Sequence, residues 1–127
     1  MDFSNYLADK LIDGTVRNIP YVTPDKVWLA LYTTDPTKED VGAEVNEPTY
    51  VRQEIVMGAP VDGVSKNVEQ IDFSEATSNW GYVTHIGIRD ESFDGNLLYF
   101  TDLENPKDIL SGDQFRINVD KLKLTLT

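Results

Sequence analysis

Carboxylates dominate the side chains of this sequence that are able to do chemistry. The 127 residues include 22 Asp and Glu, a single His and no Cys. The lack of Cys excludes disulfides, thiolate nucleophiles and thiolate metal sites. His85 would need carboxylates to complete a metal site and lies within an alternating segment, so we interpret it as a strand residue. No nucleophile elbow, phosphate-binding glycine loop or dinucleotide-binding motif occurs. We therefore expect no enzyme, no catalytic residues and no cofactor.

A metal or hydrolase site would have to be built from the acids. Asp90, Ser92 and Asp94, followed by Gly95, match the first half of a calcium-binding loop. The second half fails, because the position that should hold a bidentate Glu is Thr101, and the flanking segments have the pattern of strands rather than helices. We interpret the segment as a polar hairpin turn and predict no metal site beyond this incomplete calcium candidate. Paired carboxylates for glycoside hydrolysis stay open, although nothing in the sequence places two acids together.

This turn lies between two predicted strands. Residues 80–88 alternate in character, which places every second side chain on one face of a sheet. Asp94-Gly95 is typical of a turn, and residues 96–103 are again apolar and aromatic. We expect this hairpin at the centre of a sheet. The predicted structural core consists of Trp28, Trp80, Tyr82, Ile86 and Ile88. A carbohydrate groove lined by exposed aromatic residues is the alternative.

The remaining segments indicate a mainly β protein. Residues 26–33, 50–57 and 68–73 have the composition of strands, and Asn105-Pro106 is expected to break the chain. At Asp120-Lys121 the apolar residues change from odd to even positions, which predicts a bulge or a crossing between sheets. We predict a single-domain antiparallel β-sandwich, jelly-roll or Ig-like, that spans residues 1–127 with strands from about residue 26 to residue 127.

One short amphipathic helix precedes the strands. Asp2 or Ser4 can cap a helix over about residues 3–13. Its apolar side is formed by Phe3, Tyr6, Leu7, Leu11 and Ile12. The sequence does not decide whether this side packs on the sandwich or against a neighbouring subunit.

The net charge limits the partners. A charge of −11 and a pI near 4.3 argue against a nucleic-acid groove, because binding a phosphate backbone needs clustered Lys and Arg. No apolar run approaches the roughly 20 residues that span a bilayer, and the N-terminus lacks the apolar region of a secretory signal. We expect no nucleic-acid partner, no membrane and synthesis in the cytoplasm. A charge of this size is typical of proteins that stay soluble at high local concentration. The alternative is that the acidic residues bind a basic partner or cations.

Several motifs occur in an order that resembles a known family. They are KVWLALYTTDPT (26–37), Glu44-Val45 with YVRQ (50–53), WGYVTHIGI (80–88), GNLLYF (95–100) and SGD (111–113). Together they resemble small phage virion proteins usually labelled tail fibre or minor tail proteins, over nearly the whole chain. The resemblance implies a compact β-rich domain on the particle, without catalytic residues to carry over. The acidity of this chain and its charged turn at residues 90–94 depart from the family.

The resemblance implies a non-enzymatic structural component of a virion, a tail fibre or tail-associated protein assembled in the host cytoplasm. Such a protein would act by self-association, with a trimer expected from fibre-type proteins, and by docking on other virion proteins. The loops 34–48 and 89–95 would be exposed faces, and the helix would supply the docking or oligomer interface through Phe3, Tyr6, Leu7 and Leu11. A capsid decoration or head-fibre protein is the first alternative, and a receptor- or carbohydrate-binding module is the second.

Overall fold

The N-terminal helix begins at a serine cap. The computed structural model describes residues 1–126, in which α1 spans Asn5–Val16. The Ser4 hydroxyl accepts a hydrogen bond from Leu7 N at 3.1 Å and donates one to the Leu97 carbonyl, so the cap also attaches the helix to a strand. The helix ends where Arg17 N donates to Asp13 O. The predicted helix is confirmed, and it continues to Val16 instead of ending at residue 13.

Nine strands are present within residues 1–126. In chain order they are β1 (Asp2–Phe3), β2 (Val27–Tyr32), β3 (Gln53–Ile55), β4 (Val64–Lys66), β5 (Ile71–Asp72), β6 (Gly81–Arg89), β7 (Leu97–Ile109), β8 (Arg116–Ile117) and β9 (Lys123–Thr125). Five of them form an antiparallel sheet in the order β1-β7-β6-β2-β3. The predicted hairpin, β6–β7, therefore lies at the centre of this sheet, and the mainly β antiparallel fold of one small domain is confirmed.

The other four strands form two short antiparallel ladders, β4–β9 and β5–β8. β8 and β9 are consecutive in sequence but belong to different ladders. A turn with Asp120 at a φ of 67° separates them. This confirms the crossing predicted at Asp120-Lys121, because the apolar residues change phase where the chain leaves one ladder for the other.

The main core cluster joins the five-stranded sheet to the β5–β8 ladder. Trp80, Ile86 and Ile88 are buried in it. The prediction for Tyr82 is wrong, since its side chain is 55% exposed. The register of β6 on β7 shifts between Val83 and His85, and this shift changes which residues face the core.

The prediction for Trp28 is also corrected. It is half-buried and lies outside both core clusters, because Leu29 and Leu31 take the core-facing positions of β2. The alternate residues of β2 point to the opposite face of the sheet. There they form a second, smaller cluster of Ala30, Tyr32, Leu97 and Phe100.

β7 continues through the predicted break at Asn105-Pro106, so that prediction is wrong. Val83 of β6 pairs with Lys107 of β7, and His85 pairs with Asp102. The single residue between Val83 and His85 lies opposite four residues of β7, and these extra residues form a bulge. A bulge leaves residues out of the ladder, which accommodates a proline that has no N–H to donate. β1 pairs with β7 only at Tyr99 and Phe100, and within residues 1–126 the outer edge of β7 beyond them has no partner strand.

Among residues 1–126, no helix has both the length and the apolar character needed to cross a bilayer.

Candidate functional site

Two buried arginines organise one end of the molecule, which we call the loop end and define as the loop 34–48 and the hairpin turn 90–96. Arg89, the last residue of β6, donates to both carboxylate oxygens of Asp40 at 2.8 and 2.9 Å. It also donates to the Tyr32 hydroxyl and to the Gly95 carbonyl, each at 2.9 Å. Bidentate pairs of this kind fix geometry as well as charge. Arg89 therefore connects the loop 34–48 to the hairpin turn, and its bond to Tyr32 connects both to β2.

Arg52 makes the second connection. Its Nε and Nη2 donate to the Glu44 carboxylate at 2.9 and 2.8 Å, and Nη1 donates to the carbonyls of Glu91 and Asp94 at 2.9 and 2.8 Å. The Tyr50 hydroxyl donates to the same carboxylate at 2.5 Å and accepts from Leu31 N at 3.0 Å. Glu44 thus has three side-chain donors, and the loop is tied to β2 as well as to the turn.

The turn itself is closed by its own side chains. Asp90 accepts from Asn96 N at 2.7 Å and from the Asn96 amide at 3.1 Å, one bond to each carboxylate oxygen. The Asp94 carbonyl accepts from both arginines, and Asp94 has a positive φ of 52°. Asp and Asn are among the few non-glycine residues that adopt this conformation readily. The turn is therefore held in one conformation by the Asp90 carboxylate within it and by the two arginines that bind the Asp94 carbonyl.

Burial and charge shift the proton affinities of this network. Burial raises the pKa of Glu44, but hydrogen bonds from Arg52 and Tyr50 and the charges of both arginines outweigh it, so the pKa lies below its usual value. Burial, followed by the charge and hydrogen bond of Glu44, raises the pKa of Tyr50. Burial also raises the pKa of Tyr32, although Arg89 opposes the change. At neutral pH the carboxylate is ionised and both phenols are protonated.

The structure does not assemble the calcium candidate at residues 90–94. Asp90 already accepts hydrogen bonds at both oxygens, and the Asp94 carbonyl faces two guanidinium groups. Within residues 1–126 no group of three or more His, Cys, Asp or Glu side chains is arranged to hold a metal ion. His85 lies apart, with Nδ1 2.7 Å from the Thr84 hydroxyl and Nε2 3.9 Å from Asp35. These positions offer structural bonds and no paired nucleophile and base.

Comparison with known families decides what kind of protein this is. Residues 2–125 match the family model Gp80, described as podophage GP4 fiber I protein gp80. The chain belongs to the podophage fibre I family. It is therefore a phage fibre protein and a component of the virion. No curated protein matches the chain.

The helix of this fibre protein presents a different surface from the one predicted. Leu7 is only 3% exposed within the single chain, so its assignment to a docking interface is wrong. Phe3, Tyr6 and Leu11 are half-buried, and the Phe3 ring packs edge-on against Tyr99 at 5.6 Å. The predicted side of the helix is used mainly by the chain's own sheet.

Exposed aliphatic residues lie instead at the C-terminal end of the helix and just after it. We call them the helix-end patch, and they are Ile12, Val16 and Ile19. Val16 is 77% exposed and Ile12 is 54% exposed. Ile12 and Val16 are one helical turn apart, and Ile19 N donates back to Asp13 O, which returns the chain to the helix end. Apolar side chains grouped at a surface in this way mark an interaction site more often than scattered ones do.

The hairpin tip of this fibre protein, residues 91–94, carries the second exposed apolar feature. Phe93 is 79% exposed, although the turn that bears it is fixed by Arg52 and Arg89. Beside it lies a cavity of about 380 Å³ whose lining includes Tyr50, Val51 and Phe93. Trp80, by contrast, is buried, and its indole N–H donates to the Pro48 carbonyl at 3.4 Å, so it offers no platform for a sugar.

Sequence reasoning missed the two arginines. Arg89 follows His85 and Gly87 on the same phase of β6, and a charge at the end of a buried strand needs a partner. That signal was available. The identity of the partner was not, because Asp40 is one of several acids in a loop whose path the sequence does not specify.

Proposed function

We propose that this chain is a non-enzymatic structural component of a phage tail fibre, assembled in the host cytoplasm, that self-associates and docks on other virion proteins. Membership of a fibre family supports the general role. The helix-end patch is the single observation that favours docking. Burying one Val or Ile side chain contributes about 1.5–3 kcal/mol, so burial of this patch would stabilise a complex more than burial of a polar surface segment would.

The docking partner is expected to be another virion protein rather than a second copy of this patch. The chain carries a net charge of −11, and two copies brought together face to face would repel each other. A partner with an apolar groove complements the patch. The charges beside the patch are balanced, since Asp9 and Lys10 adjoin it and Asp13 is paired with Arg17 at 2.7 Å.

Self-association is proposed to give a closed homo-oligomer, with three subunits expected. The outer edge of β7 supports this, because it has no partner strand within residues 1–126 and an oligomer is one way to cover it. Size-exclusion chromatography with light scattering on the purified chain tests it. Three times the mass of 14.3 kDa supports a trimer, and a monomer at every concentration contradicts self-association.

Docking is tested on assembled particles. The double variant Ile12→Ser, Val16→Ser should fold normally but be missing from purified particles, as measured by quantitative immunoblotting. Val41→Ser, Val61→Ser is the matched control, since both valines are also exposed but lie elsewhere. Equal incorporation of both double variants would contradict docking through the helix-end patch.

Gold labelling of intact particles in the electron microscope tests placement. Label on the tail or its fibres supports the proposed role. Label spread over the capsid would instead favour the capsid decoration or head-fibre alternative.

The receptor- or carbohydrate-binding alternative has one observation in its favour, the exposed Phe93 beside its cavity. A glycan panel with Phe93→Ser as the control tests this alternative. Binding that Phe93→Ser abolishes would favour a receptor-binding module, and no binding would leave the tip free for another partner.

A further inference from the structure

A cleft of about 610 Å³ lies between residues 101–107 of β7 and the C-terminal segment 115–123. Four of the chain's 11 basic residues line it: Lys107, Arg116, Lys121 and Lys123. Only two acids do, Asp102 and Glu104, so the cleft is locally positive on a strongly negative protein. Its floor is apolar and includes Leu103, Phe115 and Leu122. We call it the basic cleft. Its volume lies in the range of ordinary binding sites.

Protection of the sheet edge explains only part of this arrangement. Charged side chains, a proline and a bulge along an open edge discourage unwanted strand pairing, and β7 has all three near Pro106 and Lys107. Lys121 and Lys123, however, belong to the C-terminal segment and not to β7. Within residues 1–126 neither of them, nor Lys107, forms an ion pair, whereas Arg116 pairs with Asp72. Three ammonium groups therefore remain available to an anionic partner.

The hairpin tip has the complementary chemistry. Glu91 and Ser92 precede Phe93 and Asp94 follows it, and all four are exposed, so the tip carries one aromatic ring and two carboxylates. The arginines fix the backbone of the turn that carries Phe93, so binding through this residue costs little further ordering of the backbone. The tip lies beyond the β6–β7 pair at Arg89 and Leu97, whereas the cleft lies alongside residues 101–107 of the same strand. Because the arginines fix the turn, the tip does not fold back into its own cleft.

We propose that the hairpin tip of one copy of this chain binds in the basic cleft of the next, with Phe93 on the apolar floor and its flanking carboxylates beside the cleft lysines. Such a contact is heterologous, so it closes into a ring or continues as a filament. The inference rests on the proposed self-association and specifies its interface. It also explains how chains with a net charge of −11 associate, because each contact joins the basic cleft of one copy to the acidic hairpin tip of another.

Two variants and their mixture test this interface. Phe93→Ser removes the ring from the tip and leaves the cleft intact. Lys107→Glu, Lys121→Glu reverses two charges in the cleft and leaves the tip intact. Each variant alone should weaken self-association by roughly tenfold or more, as measured by sedimentation velocity. Mixing the two should restore a complex of one copy of each, because the intact tip of one fits the intact cleft of the other. This complex should not grow further.

The control is Lys26→Glu, Lys38→Glu, which changes the net charge equally at exposed sites outside the cleft. It should associate as the unaltered chain does. Circular dichroism and thermal unfolding establish that all variants are folded. An unaltered chain that is monomeric at every concentration contradicts the proposed self-association itself. If the unaltered chain associates but the tip and cleft variants associate equally well, or their mixture forms no complex, only this interface is overturned.

Discussion

At the scale of single residues, Arg52 and Arg89 are the side chains that most constrain the loop end. Each pairs with a carboxylate from the loop 34–48 and donates to carbonyls of the hairpin turn. An ion pair of this kind is costly to bury, but removing one partner is costlier, because the other charge is left without compensation. Their value therefore lies in fixing the loops in one arrangement rather than in net stability.

The first prediction concerns Arg89. Arg89→Met leaves Asp40 without its bidentate partner and the Tyr32 hydroxyl without a donor. Asp40 is exposed and stays hydrated, so the loss comes mainly from the buried groups that lose a donor. We expect the free energy of unfolding to fall by about 1–3 kcal/mol in urea denaturation at neutral pH. Arg17→Ala, which removes an exposed pair with Asp13, is the control and should cost no more than about 1 kcal/mol. Equal losses for the two variants would show that the buried pair contributes nothing special.

The second prediction concerns pH. The folded state lowers the pKa of Glu44, so this group contributes stability that is complete above its unfolded pKa and lost as the pH falls through the folded value. The free energy of unfolding should decline below about pH 4.5. Glu44→Gln should lower stability at neutral pH by about 1–3 kcal/mol and make the decline in acid shallower. A decline of unchanged steepness in Glu44→Gln would assign the acid sensitivity to other carboxylates.

At the scale of elements, the sequence predicted the features that depend on the periodicity of apolar residues and on turn-forming residues. The hairpin β6–β7, the helix and the crossing at Asp120-Lys121 all follow from local patterns. Tyr82 was misassigned because the bulge in β7 changes the facing of β6, and a bulge depends on how the partner strand is accommodated. Leu7 was assigned to an interface with another protein, because an apolar helix face predicts a covering surface but not which one. The covering surface is the chain's own sheet, and its position depends on strand pairing that the sequence does not show.

The third prediction concerns the helix cap. Ser4 is buried and bonds both the helix N-terminus and the Leu97 carbonyl, so Ser4→Ala loses the cap and leaves a buried carbonyl with one donor fewer. We expect a loss of about 1–3 kcal/mol. Thr15→Ala is the comparison within the same helix, because its hydroxyl is exposed and bonds only the Leu11 carbonyl. It should change stability by less than about 0.5 kcal/mol. A similar small change for Ser4→Ala would mean that the helix is held by side-chain packing alone.

At the scale of the whole molecule, charge is distributed unevenly. The chain has 22 acids and 11 bases, and two of the bases are the buried arginines. Of the nine that remain, four surround the basic cleft. The surface outside the cleft is therefore even more acidic than the total suggests. Salt acts differently on these two regions, because it screens repulsion over the exposed acidic surface and attraction at an exposed cleft.

The fourth prediction uses this difference. Raising NaCl from about 0.05 to about 0.5 M should stabilise the fold of monomeric Phe93→Ser, because screening relieves repulsion among the acids. Each kcal/mol gained raises Tm by about 4 °C. The same change should weaken self-association of the unaltered chain, because it screens the attraction between tip and cleft. Calorimetry and sedimentation velocity measure the two effects separately. Tighter association at high salt would mean that screened repulsion between the acidic chains and apolar burial outweigh the attraction between tip and cleft.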